Sequence, residues 1–172
     1  MKSYLLYLKK QYKLKGLLID TNIFLLYFIG NYNLKYISEF KRTQVYTIED
    51  FVYLKNFIKY FKNKVITTPN ILTEVSNLSE TFNKQQNYNL FPSLSEILES
   101  ISELNFKSIN IIDNNLECFS KFGLSDTVSF ELSKANYLVL TDDLPFYDYL
   151  ASNKLPAMNF NHIRSEFLLG KG

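Results

Sequence analysis

Cysteine and histidine are almost missing from this 172-residue chain, which carries one Cys, one His and no Trp. A single cysteine, Cys118, excludes an internal disulfide framework and a thiolate zinc cluster, and it suits a reducing cytoplasm. Cys118 is therefore expected to pack as a small hydrophobe. The lone His162 has no second His or Cys with which to share a metal, so it reads as a structural or surface residue. No serine has the His and acid partners that nucleophilic hydrolysis needs. Glycine and proline are also scarce, at 5 and 4 residues, so long regular elements are expected, and no Gly-rich phosphate loop is present.

Charge of one sign is lacking too. Lys and Arg number 19 against 17 Asp and Glu, a net charge of +2. The strongly basic balance common in nucleic-acid-binding proteins is absent. Acidic residues gathered in a site would nevertheless cancel basic ones elsewhere in the sum. Long hydrophobic runs are missing as well. Lys9 and Lys10 interrupt the apolar opening before a signal-peptide core forms. The stretch from Gly16 to Gly30 contains Asp20 and Asn22 and is too short to span a bilayer as a helix. A soluble, cytoplasmic protein with no membrane association is expected.

What is present is an ordinary globular composition, with 47% hydrophobic and 21% charged residues and a 16% aromatic share made of Tyr and Phe. The length suits a single domain over 1–172. Short apolar runs punctuate it: Gly16–Ile19, Lys64–Thr67, Ser108–Ile112, Tyr137–Leu140 and Ala157–Phe160 are all read as strands. Helical patterns lie between them. Thr47 and Asp50 form a capping pair ahead of Phe51, Leu54, Ile58 and Phe61. Thr68-Pro69 opens a helix bearing Ile71, Val75, Leu78 and Phe82. Ser93 is expected to cap Leu94, Ile97, Leu98 and Ile101, and Ser125 to cap Val128, Leu132 and Ala135. Strands alternating with helices imply an α/β fold with a central, mostly parallel sheet flanked by helices. The segment 31–47 reads as an insertion after the first helix, the one that follows the strand Gly16–Ile19.

Ligands of open α/β sheets gather outside the carboxyl ends of the strands, and the acids follow that rule. Asp20 directly follows the first strand, and Glu74 lies just over a turn into the helix after the second. Asp126 sits in the first turn of its helix, and Asp142 and Asp143 follow the strand ending at Thr141. Glu74 shares a helix flank with Asn70 and Asn77, beside the apolar stripe. Gathered carboxylates repel one another, and a divalent cation removes the conflict. Oxygen-only ligands favour Mg²⁺ or Mn²⁺ over Zn²⁺, ions that promote attack of water on a phosphate.

Each acid has a plainer reading when taken alone. Asp20 serves equally well as an N-cap, Glu74 as a solvated helix residue and Asp126 as a complement to the helix dipole. Asp142-Asp143 before Leu144-Pro145 suits a turn or a helix start. Lys35, Lys41 and Arg42, in the insertion, could touch phosphates, although a solvated loop accounts for them as well. Only the coincidence of the acids on one edge favours chemistry.

Those residues carry a family resemblance. Leu17-Leu18-Ile19-Asp20-Thr21-Asn22-Ile23-Phe24 resembles the opening motif of PIN-domain nucleases, and Thr68-Pro69-Asn70-Ile71-Leu72-Thr73-Glu74-Val75 resembles the second. Gly123-Leu124-Ser125-Asp126-Thr127 is similar to the third, and Tyr137-Leu138-Val139-Leu140-Thr141-Asp142-Asp143 to the fourth. The matches run in order from about residue 16 to 160. The resemblance implies a PIN-like fold and a VapC-like, metal-dependent endoribonuclease. Asp20, Glu74, Asp126 and Asp143 would be the catalytic, metal-ligating acids, with Asp142 as second choice to Asp143. Thr21, Asn22 and Thr141 would support them. It also implies an RNA substrate, a toxin role with an antitoxin partner, and a homodimer. A non-catalytic PIN-like module that binds RNA or protein is the alternative. A phosphatase resembling the haloacid dehalogenases would want Asp where Asn22 stands.

Overall fold

The computed structural model describes residues 2–13, 15–61, 64–86 and 90–169. In chain order the elements are α1 (Lys2–Tyr12), β1 (Leu17–Ile19), α2 (Thr21–Tyr32), α3 (Tyr36–Glu39), α4 (Ile48–Tyr60), β2 (Val65–Thr67) and α5 (Pro69–Gln86). They continue with α6 (Phe91–Leu98), β3 (Ser102–Glu103), α7 (Ser108–Asn114), α8 (Leu116–Lys134), β4 (Leu138–Thr141), α9 (Leu144–Ser152), β5 (Ala157–Asn159) and α10 (Phe160–Leu169).

The five strands form one sheet in the order β3-β2-β1-β4-β5, and every pairing is parallel. The fold is α/β, with a parallel sheet flanked by helices. All residues of β1, β2, β4 and β5 are buried, as expected of parallel strands covered on both faces. The chain leaves β1 toward β2 and β3 on one side, then returns to β4 on the other. The order therefore reverses beside β1, and the crevice between the carboxyl ends of β1 and β4 is the ligand position of such sheets.

Helix α2 is apolar on every side, and Ile23, Phe24, Leu25, Leu26, Phe28 and Ile29 are fully buried. A helix of that composition belongs inside, and α2 packs against α3, α4, α5 and α6. Removing each such side chain from water contributes about 1.5–3 kcal/mol. Gly30 lets α4 approach closely, because a Cβ there would stand 2.3 Å from the Phe51 ring.

The Thr47–Asp50 capping box forms with both of its hydrogen bonds, and Thr68 Oγ1 accepts from Ile71 N ahead of Pro69. The sequence reading fails at the third strand. Ser108–Ile112 is not a strand but most of α7, because an apolar run this short carries no decisive period. Ile111 is buried and Ile109 exposed. The actual edge strand, Ser102–Glu103, is two exposed residues long and has no apolar signature. Two cap assignments also shift. Leu90 occupies the N-cap of α6, so Ser93 lies inside it, and Ile101 lies beyond its end. Gly123 breaks α8 with φ 82° and ψ −173°, a conformation glycine adopts without steric cost. Ser125 therefore follows the break rather than capping it.

Residues 31–47 close α2 and then form α3 and a run of turns before α4. Phe40 anchors this segment against Phe82, with ring centroids 5.0 Å apart. Among the described residues, no helix is long and apolar enough to cross a membrane.

Candidate active site

Each acid reaches the crevice from a different element. Asp20 ends β1 and caps α2, its Oδ1 accepting from Thr21 N at 2.6 Å. Its Oδ2 accepts from the Thr141 hydroxyl, also at 2.6 Å. Asp20 thus caps α2 and also bonds across to the end of β4. The Thr21 hydroxyl donates to Glu74 Oε2 at 2.6 Å, so one threonine ties the acid after β1 to the acid on α5. Thr141 in turn accepts from Asp143 N at 3.0 Å. Asp143 caps α9 by accepting from Phe146 N at 2.9 Å. Asp126, three residues past the Gly123 break, has no hydrogen-bond partner among the described residues.

Asp20, Glu74, Asp126 and Asp143 line one cleft of about 400 Å³ together with Thr21, Asn22, Arg42, Asn77 and Leu78. A second hollow, of about 290 Å³, adjoins it across Glu74 and is walled by Asn70, Thr73, Leu124 and Ser125. The Ser125 hydroxyl is buried and unpartnered.

Asp142 behaves differently from its neighbour. Its Oδ1 accepts from Asn22 Nδ2 at 3.2 Å and its Oδ2 from the Tyr46 hydroxyl at 2.5 Å. Its carbonyl accepts from Asn161 Nδ2 at 3.1 Å. Asp142 is absent from the cleft wall, whereas Asp143, the first choice of the two in the resemblance, lines it.

The electrostatics follow from burial and crowding. Asp20 is 8% exposed. Desolvation pushes its carboxyl up to about 6, against the lowering effect of the Thr141 and Thr21 hydrogen bonds. Asp126 is pushed up to about 8, first by desolvation and then by the negative charges of Asp20, Asp143 and Glu74. Burial and the neighbouring carboxylates thus both favour the protonated form of Asp126.

Among the described residues, no three His, Cys, Asp or Glu side chains are gathered tightly enough to grip one metal ion as they stand. Hydrogen bonds hold three of the carboxylates on their own elements, Asp20 to Thr21 and Thr141, Glu74 to Thr21, and Asp143 to Phe146. The donor set still fits one class of ion. It is all oxygen, and Mg²⁺ retains several of its waters and needs only one or two direct carboxylates. A cation would also offset the desolvation and the neighbouring negative charges that raise the Asp126 carboxyl.

Tyr46 was invisible as a site residue in the sequence, because nothing local links it to an acid 96 positions away. Arg42 carried only the weak signal of a cation in the insertion. His162 stacks its exposed ring edge-on against Tyr147, and Cys118 is buried. No protein-family model, no curated protein and no solved structure matches this chain.

Proposed function

We propose that the protein is a metal-dependent endoribonuclease acting on RNA phosphodiester bonds. One observation carries the reading: Asp20, Glu74, Asp126 and Asp143, from four separate elements, line one cleft at the carboxyl edge of a parallel sheet. The choice of RNA rests on the order of the PIN-like motifs. Asp20, Asp126 and Asp143 are the residues that would hold Mg²⁺ or Mn²⁺, with Glu74 a direct or water-mediated ligand. Such an ion, when bound, promotes attack of water at phosphorus and stabilises the leaving oxygen. The chain's own part is positional. Thr141 and Thr21 orient Asp20, Thr21 orients Glu74, and the caps on α2 and α9 set the directions of Asp20 and Asp143.

The test is to incubate labelled RNA with the protein and with Asp20→Ala, with and without Mg²⁺ or Mn²⁺. Cleavage that needs the ion and disappears in the variant is expected. Undiminished cleavage by a folded Asp20→Ala protein overturns the assignment.

A second reading, a PIN-like module that binds RNA or protein without catalysis, draws on the wide spacing of the acids. Titration calorimetry with Mn²⁺ separates the two, because the module reading predicts no binding heat that depends on Asp20. The toxin role, a cognate antitoxin and a homodimer rest on the resemblance alone. Sedimentation of the purified protein tests the dimer.

A further inference from the structure

Among the described residues, the cleft has a cationic side chain with no acidic partner. Among the described residues, Arg42 is the single Lys or Arg in a wall that holds four carboxylates. It makes no ion pair with any of them among the described residues. An arginine serving only to neutralise the acids would sit against one of them. Here the guanidinium fork, which matches a phosphate with paired N–H donors, is left open on the cleft.

The loop that carries it is held on both sides. Ahead of Arg42, Phe40 is buried against Phe82. Directly after it, Thr43 is fully buried and donates its hydroxyl to Ile37 O at 2.8 Å. Val45 O accepts from Arg164 Nη1 at 3.1 Å, and Tyr46 bonds Asp142. Arg164 is itself fixed by buried Asp50 at 3.0 Å and lies over the Tyr46 ring. The turn is thus bolted to the core and to the end of β4, while Arg42 itself stands exposed. A preorganised loop of this kind lowers the ordering cost of a contact made at its tip.

An RNA strand approaching this cleft meets four acids, so a phosphate there needs a fixed countercharge in addition to any ion. We infer that Arg42 is a backbone-phosphate anchor, gripping a phosphate of single-stranded RNA next to the one that is cleaved. This rests on the nuclease reading above, and it makes segment 31–47 a substrate-binding element.

The experiment measures anisotropy of a fluorescein-labelled single-stranded RNA oligonucleotide across a salt series, with Ca²⁺ replacing Mg²⁺ so that binding is read without turnover. Arg42→Gln is expected to weaken binding roughly fivefold and to reduce the log–log salt slope by about 0.7, the loss of one phosphate contact on a single strand. Arg42→Lys should keep most of the slope. Lys41→Gln, one residue away and outside the cleft wall, should change both quantities less. Unaltered affinity and slope in Arg42→Gln overturn the proposal, as does an equal effect from Lys41→Gln. The cleavage assay separates the two ideas. If Asp20→Ala loses cleavage while Arg42→Gln matches wild type in KM and salt slope, the anchor fails and the nuclease stands. If wild type never cleaves but Arg42→Gln still loses the phosphate contact, the nuclease fails, and Arg42 stands as an RNA-phosphate contact without a cleaved phosphate beside it.

Discussion

Tyr46 donates its hydroxyl proton to Asp142 Oδ2 at 2.5 Å, and this bond divides two adjacent acids between two tasks. Asp142 has both carboxylate oxygens taken, by Asn22 and by Tyr46, and it fastens residues 40–46 to the end of β4. Asp143, one residue on, lines the cleft. Burial and the neighbouring carboxylate both raise the Tyr46 hydroxyl above its ordinary range, so it remains a donor throughout neutral pH.

That division predicts unequal variants. Asn caps a helix as well as Asp, so Asp143→Asn keeps the Phe146 bond and removes only the charge. Metal-dependent cleavage should fall by more than about 100-fold, beyond what supporting residues of metal sites usually cost. Asp142→Asn should lose about tenfold or less and instead lower the melting temperature. Equal losses in kcat/KM for the two variants would contradict the assignment.

The protonated carboxyl of Asp126 predicts how stability changes with pH in EDTA. Its proton is held more tightly in the folded chain, at about 8, than at the ordinary value of 3.8. The associated stability is complete below that lower value and is lost as pH rises through the upper one. Asp20, raised to about 6, acts in the same sense. The melting temperature should therefore fall between about pH 4 and about pH 8. Asp126→Asn should flatten the fall, and Mg²⁺ should restore most stability at the alkaline end. A melting temperature that climbs over this range in EDTA would show that the carboxyls are not crowded as described.

Gly30→Ala tests the packing behind the site. Alanine favours a helix by about 1 kcal/mol over glycine, but the new methyl would meet the Phe51 ring at 2.3 Å. Overpacking of this kind costs about 1–3 kcal/mol. The clash involves ring atoms of a buried residue and should win, lowering the melting temperature by several degrees. A melting temperature equal to wild type would mean that α2 and α4 are more loosely packed than the structure places them.

The sequence alone determined the features set by short-range physics. Buried parallel strands appear as continuous apolar runs, which is why β1, β2, β4 and β5 were legible. Capping chemistry acts over three residues, which is why the Thr47–Asp50 box was legible. The order of Asp20, Glu74, Asp126 and Asp143 along the alternating elements suffices to put them at one sheet edge.

Tertiary structure alone decided the rest, because the deciding contacts join residues far apart in the chain. Ser108–Ile112 becomes a helix while an exposed pair of residues, Ser102–Glu103, completes the sheet beside β2. The sequence already ranked Asp143 ahead of Asp142, but the bond that occupies Asp142 comes from Tyr46, 96 residues away. Arg42 meets the carboxylates only because its loop is held by Phe82, Asp142 and Arg164, none of which any local pattern in segment 31–47 could announce.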